Sequence, residues 1–407
     1  MHARPKAAAV ATLLLTSLFG VTACGDASST RGSSDAIQIG LITPVDTSSN
    51  SYDDAVSGTR AAVAAINTAG GVNGKKLELD FCNEKTDPNA AAACARKAES
   101  GDQIATVGLF STNMQSVLPQ FKTLPNIAPF ALTPAEIACP TCYTFDSFSM
   151  GAFMSAADLA SQAGVKSATI VTFDVPVSHE VQEATKRQME AAGITVADVI
   201  YVPPTTSDLS SYAQKVKEIG HEGLLPMVTA QGAYSLLQAL RQIDFQPTLI
   251  TNDNQVPPAN IAKLGDFIEG ARLGLAVPPV SAADKIPGVK KFVADMKAAE
   301  EAGDKNAADR SALAMHCWLA VYAVAEIAKG VDGDVNRRSF TDALKSAKDV
   351  GLQGILPPWT PTAKSPKRVP PGMVQPLVYF GVVENGVLVL SNDDPWDLSQ
   401  KKFVPTS

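Results

Sequence analysis

From residue 36 onward the chain alternates short runs of apolar, often β-branched residues with longer stretches whose apolar positions recur every three or four residues. The first pattern predicts strands and the second helices. Ile37–Ile42, Leu77–Phe81, Ile104–Phe110 and Ile127–Ala131 read as four strands. Asp53–Thr68, Ala90–Ser100 and Asn113–Lys122 read as the helices between them; Ala55, Val56, Ala62, Val63 and Ile66 share one face of the first. This β-α-β-α-β-α-β order predicts a parallel sheet covered on both faces. The alternation then restarts. Helical runs at Phe153–Gln162, Glu180–Ala192, Tyr212–Ile219 and Ala233–Ile243 interleave with strand-like Ala168–Phe173, Val196–Val202, Leu224–Thr229 and Leu249–Thr251. Beyond Pro278 come helices at Val289–Ala299, Ala312–Lys329 and Ser339–Ala347. Val378–Val383 and Val387–Leu390 flank Glu384-Asn385-Gly386, a hairpin signal. The expected fold class is α/β, with two doubly wound parallel-sheet lobes and several chain crossings between them.

The first residues follow a different pattern. Arg4 and Lys6 precede Ala7–Gly20, which is apolar or small and too short to span a bilayer as a stable helix. That is the layout of a secretory signal. It ends in Val21-Thr22-Ala23-Cys24, which resembles the bacterial lipobox, whose cysteine is diacylated. Residues 25–35 are small and polar, the composition of a flexible tether. A lipid anchor at Cys24 on the outer face of the cytoplasmic membrane is therefore expected. No later run is read as reaching the roughly 18 to 20 apolar residues of a spanning helix.

Composition narrows the function. Of 407 residues, 45% are hydrophobic, enough for real cores. The net charge of −7 and the absence of a basic block argue against a nucleic-acid partner. Four scattered histidines (His2, His179, His221, His316) leave little for a metal site, and no cofactor is expected. With Cys24 assigned to lipid, five cysteines remain. Cys82 closes a strand and Cys94 lies in the following helix, so the two are paired. Cys139-Pro140-Thr141-Cys142 suits a small local bridge; a redox role needs a thioredoxin-like context that is missing, and zinc needs two more ligands. Four cysteines nonetheless allow three pairings, and the sequence does not select one. Cys317, in an apolar run, reads as a buried free thiol.

No catalytic constellation emerges. Gly70-Gly71-Val72-Asn73-Gly74-Lys75-Lys76 has the wrong spacing for a phosphate loop and reads as a helix cap and turn. The acid pairs Asp53-Asp54 and Glu300-Glu301 read as solvated helix surface. Ligands of open α/β sheets bind beyond the carboxyl ends of the strands. The residues there are Tyr52 in the first loop, Ser111-Thr112-Asn113 after the third strand, and Ala131 with Thr133 after the fourth. In the second half they are Phe173-Asp174, Gln231 with Tyr234, and Asp253. Hydroxyls and free N–H groups at 111–113 suit either an anion or a plain helix cap.

Ile37-Gln38-Ile39-Gly40-Leu41-Ile42-Thr43-Pro44 resembles the first strand and loop of type I periplasmic binding proteins, specifically the leucine/isoleucine/valine-binding family of ABC transporters. Ala64-Ala65-Ile66-Asn67-Thr68-Ala69-Gly70-Gly71-Val72-Asn73-Gly74 and Thr86-Asp87-Pro88 carry the same resemblance. It implies two lobes that close on a solute by hinge motion. Residues 36–150 and 278–356 would form the first, 151–277 and 357–398 the second, and 399–407 a tail, with crossings near Met150, Val277 and Leu356. It further implies that Ser111 and Thr112 meet a solute carboxylate, that Ala131, Thr133 and an acid at Asp253 meet its ammonium, and that Tyr52 faces the pocket. The family's second-lobe tyrosines fall near Ser178 and near Tyr234. The implied role is a monomeric, non-enzymatic solute receptor feeding an ABC permease. The other classes weighed are a sensing domain that signals through a partner and a secreted enzyme using Asp174 with His179.

Overall fold

The computed structural model describes residues 36–47, 51–131, 133–196 and 198–406; Cys24, the signal segment and the tether lie outside the described residues. The first sheet has strands β1 (Ile37–Thr43), β2 (Leu77–Asn83), β3 (Ala105–Val107), β4 (Asn126–Ile127) and β5 (Cys142–Tyr143), in the order β2-β1-β3-β4-β5. Every pairing in it is parallel. Helices α1 (Asp53–Thr68), α2 (Pro88–Ser100), α3 (Met114–Val117) and α4 (Pro134–Ile137) connect these strands. The α/β fold is as the periodicity predicts, with two differences. The helix expected over 113–122 is one α-turn followed by a 3-10 turn at Leu118–Gln120, because Pro119 offers no N–H. The Cys139–Cys142 loop feeds straight into β5, a two-residue strand too short to show a period.

α1 illustrates how local chemistry sets an element. Asp53 and Asp54 in its first turn complement the helix N-terminus. It ends at Thr68, after which Gly71 N–H bonds the Ile66 carbonyl (2.9 Å) with Gly70 and Gly71 at φ 103° and 76°, a conformation suited to glycine. The Gly70–Lys76 segment is thus a cap and turn.

Helices α5 (Phe148–Met154) and α6 (Ala156–Gln162) replace the one expected over 153–162 and lead into the second sheet. Its parallel strands are β6 (Ala168–Phe173), β7 (Val199–Val202), β8 (Gly223–Met227), β9 (Thr248–Asn252) and β10 (Arg272–Leu275), linked by α7 (Pro176–Ala191), α8 (Ser210–Ile219), α9 (Ala230–Gln242) and α10 (Pro258–Leu264). β10, a four-residue run interrupted by Gly274, was not foreseen. The chain then returns to the first sheet with α11 (Pro287–Glu301), α12 (Ala312–Lys329) and α13 (Arg337–Ser346). A small ladder of β11 (Val350–Leu352) and β12 (Leu356–Trp359) leads back to β13 (Leu377–Glu384). β13 joins β10 antiparallel and carries the hairpin partner β14 (Val387–Leu390); β15 (Trp396–Asp397) and β16 (Lys402–Phe403) complete the sheet, ordered β16-β15-β13-β10-β9-β8-β6-β7.

α12 is the centre of the first-sheet core. Contrary to the sequence reading, it is long and apolar enough to cross a membrane, yet 78% of it is buried inside the protein, packed along α1. Gly58 permits that packing, since a Cβ there would run into the Ala314 carbonyl. Arg337 anchors α13 by donating to the Ala98, Glu99, Gly101 and Gln103 carbonyls around the end of α2. Cys82 is disulfide-bonded to Cys94, and Cys139 to Cys142. Cys317 is a buried free thiol beside the Gly108 carbonyl.

Candidate functional site

In both sheets the chain steps to one side of its first strand and then to the other, so each has a switch point where a crevice opens at the carboxyl ends. A cavity of about 420 Å³ lies at this level. One wall comes from Ser51, Tyr52 and Asp54 at the start of α1 and from Asp309–Leu313 at the start of α12. The facing wall comes from Asp253 and Asn254 after β9, from the start of α10, and from Gly386–Leu388 at the β13–β14 hairpin. Pro278–Ser281, which follows β10, closes one side.

Three carboxylates line this cavity. Burial pushes Asp54 up to about 6; the Ser311 hydroxyl that donates to it opposes the rise and the Asp309 charge adds to it. Ser311 also caps α12 by accepting from Ala314 N–H at 3.0 Å, so one side chain joins the helix start to the acid. Burial pushes Asp253 up to about 7, against the backbone N–H groups of Asp253 and Asn254. Partial desolvation raises Asp309 as well. The cavity's one lining cation among the described residues, Arg310, is turned onto Glu300 at 2.6 Å. Charge lining the cavity is therefore predominantly negative, and among the described residues its three carboxylates form no ion pair. Such carboxylates favour a cation over water, because a cation restores their charged form.

Tyr52 roofs the first-sheet wall. Its ring packs edge-on against Phe110 (4.4 Å between centroids), and Phe110 against Phe130 (4.5 Å). Burial first, then the charges of Asp54 and Glu84, raises its hydroxyl to about 12, so it acts as a neutral donor. Phe130 continues to His316 (5.8 Å). His316 is fully buried, with Nδ1 2.7 Å from Asp146 Oδ2 and Nε2 2.8 Å from the Ala128 carbonyl. Both ring nitrogens face acceptors, an arrangement that favours an imidazolium paired with Asp146. Burial alone would lower its pKa, but Asp146 and the carbonyl outweigh it and raise it.

The sequence-predicted residues are not all brought together. Tyr52 and Asp253 share the cavity; the others are not on its wall. Ser111 is 2% exposed, and its Oγ accepts from Asn113 N–H at 2.9 Å. Asn113 Nδ2 donates to Glu84 at 3.0 Å, and Thr112 is exposed. Ala131 is buried against Ile137, Met150 and Met373. Thr133 caps α4 in a reciprocal pair with Glu136. On the second sheet, Phe173 ends β6, and Asp174 bonds His179 at 2.7 Å while His179 stacks on Tyr201, all near solvent. Ser178 lies in the first turn of α7. Gln231 bonds Ser235, and Tyr234 accepts from Gln238 at 2.6 Å. The residues not foreseen are Asp54, Asp309, Arg310 and Ser311. Asp54 was read as solvated surface; its place two residues after the pocket aromatic Tyr52 was the available signal.

The model of a family described as periplasmic binding protein matches residues 36–369. No curated protein sequence matches the chain. Among solved structures, a substrate-binding periplasmic protein from Ralstonia solanacearum is 18% identical, with a TM-score of 0.72, over 87% of this chain and 100% of that one. A leucine binding protein from Thermotoga maritima MSB8 is 16% identical, with a TM-score of 0.69, over 88% and 98%. A fatty acid ABC transporter substrate-binding protein from Thermomonospora curvata is 16% identical, with a TM-score of 0.72, over 91% and 95%.

Proposed function

This chain belongs to the periplasmic binding protein family, and from there we propose that it is the solute receptor of an ABC importer, taking a small solute that carries an ammonium or similar cation. The observation that carries the cation is the cavity wall: Asp54, Asp253 and Asp309 line it, and the cation beside them, Arg310, is already paired with Glu300. An amine-bearing solute gains charge-assisted hydrogen bonds from all three. The similar structures are named for solutes as different as leucine and a fatty acid, so the fold itself leaves the solute open. The solute sits between a first lobe (36–150 and 278–356) and a second (151–277 and 357–398), which close on it by hinge motion. Cys24 anchors the receptor by lipid to the outer face of the membrane, beside its permease. Its work is binding and delivery rather than turnover.

A thermal-shift screen against amines, amino acids, aromatic acids and fatty acids tests this. A solute bound only by the folded state adds about 2.7 kcal/mol at a hundredfold excess over its dissociation constant. Shifts confined to amine-bearing compounds support the reading. Shifts confined to acids without an amine overturn the cation and keep the receptor.

A further inference from the structure

All strands of the first sheet are parallel, so the sheet has one end where they begin and another where the solute cavity opens. The chain enters the fold at the first of these ends, where Ile37 N–H donates to the Lys76 carbonyl at 2.7 Å, ahead of β1 and β2. A second pocket, of about 470 Å³, lies at the same end. One wall is the chain just ahead of β4 and β5, and the other is a face of α13. Tyr143 lines both this pocket and a neighbouring depression that holds Lys364. Thr362 Oγ1, from the same loop as Lys364, donates to the Lys345 carbonyl at 3.4 Å, so the two depressions form one surface.

Its charge is one-sided. Lys122, Arg337, Arg338, Lys345 and Lys364 line the two depressions against a single acid, Asp342, in a chain whose net charge is −7. Arg337 is spent on the carbonyls around the end of α2, and Lys122 donates to the Pro119 carbonyl at 2.8 Å. Glu99, close by, is taken up by the Lys122, Thr123 and Leu124 N–H groups. Arg338, Lys345 and Lys364 are exposed and enter no ion pair among the described residues. Concave clusters of unpaired cations concentrate anions. The tether selects which anion. β4 and β5 lie two and three strands from β1, about 10 and 14 Å at the usual strand spacing. Residues 25–35 reach at most about 40 Å, so a chain anchored at Cys24 holds this end of the sheet beside the bilayer.

We propose that the Lys122–Arg338–Lys345–Lys364 surface is a membrane-docking face that takes anionic phospholipid headgroups, so that the cavity at the other end of the same strands opens away from the bilayer. The inference rests on the lipid-anchored receptor reading above and adds a second, electrostatic attachment to it.

Energy transfer from the dye-labelled full chain to an acceptor lipid tests it, on vesicles of phosphatidylcholine alone and of an equimolar mixture with phosphatidylglycerol. Cys317 is buried and the other described cysteines are disulfide-bonded, so the dye goes to Ser346→Cys at the end of α13 or to Asn89→Cys beyond the carboxyl end of β2. Transfer from position 346 should be at least twofold higher on the anionic vesicles and should exceed that from position 89. Salt at about 1 M, which cuts screening to about 3 Å, should erase the difference. Arg338→Glu with Lys345→Glu and Lys364→Glu should erase it at unchanged melting temperature, whereas Arg338→Lys with Lys345→Arg and Lys364→Arg should keep it. Equal transfer on the two vesicles, or a glutamate variant that behaves as wild type, overturns the docking face; equal transfer with impaired solute uptake by that variant gives the surface to an acidic protein instead. A chain that does not float with phosphatidylcholine vesicles overturns the anchor, and flotation with the anionic vesicles alone, lost in the glutamate variant, still supports the face. Flotation with neither overturns both.

Discussion

The two sheets are built alike and meet the cavity differently. On the first, an aromatic ring, a capping serine and two acids converge on the wall from segments far apart in sequence: Tyr52 and Asp54 at one helix start, Asp309 and Ser311 at another. On the second, the polar residues at the equivalent strand ends are satisfied within their own helices, Gln231 by Ser235 and Tyr234 by Gln238. Asp253 with Asn254, the start of α10 and a hairpin tip bearing the half-exposed Val387 turn to the cavity. The lesson is that a shared position beyond a strand end does not make a residue part of a site. What decides is whether its own neighbourhood already answers its hydrogen-bonding groups.

The contrast can be broken most severely at Gly58. Leucine there would force α1 from α12, so Gly58→Leu should cost about 3 kcal/mol of stability and abolish solute binding, read by urea unfolding and calorimetry. Next come the acids. Asp54→Asn and Asp253→Asn should each weaken amine binding by roughly 10- to 100-fold, the worth of a hydrogen bond to a charged group, with stability little changed. Equal affinity in either variant would remove that wall from the site.

The pH dependence should separate binding from folding. Asp54 at about 6 and Asp253 at about 7 must ionise to hold a cation, so amine affinity should rise between pH 5 and 8, by about tenfold for each pH unit below a group's pKa. The empty protein should move the other way. A carboxyl raised from 3.8 binds more protons folded than unfolded, so its stabilising contribution falls as pH climbs from about 4 through 7. His316, raised above 6.5, adds stability that is complete below 6.5 and is lost as pH passes its folded pKa. Thermal melts across pH, with and without a bound amine, should therefore diverge. The smallest effects belong to the second rim: Gln231→Ala and Tyr234→Phe should change amine affinity less than twofold and stability by about 0.5 kcal/mol or less.

Much of the fold was legible. β1, α1, β6 and α12 lie where the periodicity put them, because each is long enough to show its period. β5 and β10 escaped notice because two- and four-residue strands carry almost no pattern. Of the site, Tyr52 and Asp253 were legible from their places beyond strands. Asp309 and Ser311 were not, since they reach the wall through contacts some 250 residues long, as in the Ser311 bond to Asp54. Glu84 was invisible for another reason. Nothing in the sequence announces that an acid one residue past an edge strand will turn inward onto Asn113.

The same long-range contact bears on the order in which the chain can finish folding. α1 is made early and its packing partner α12 late, with strands β6 to β10 of the second sheet synthesised between them. Ser57 Oγ, for instance, bonds Asp304 across 247 positions. Until α12 emerges, α1 has no cover for the face that Gly58 keeps flat, and the first sheet waits with its core exposed. Closing so long a loop carries only a modest entropic penalty beyond that of a shorter one, since the cost grows with the logarithm of length, but it makes the contact slow to find. The second sheet's strands β6 to β10 have their partners nearby and can assemble first. The core that begins the chain thus waits for α12, and a truncation anywhere before Lys329 leaves it unable to close.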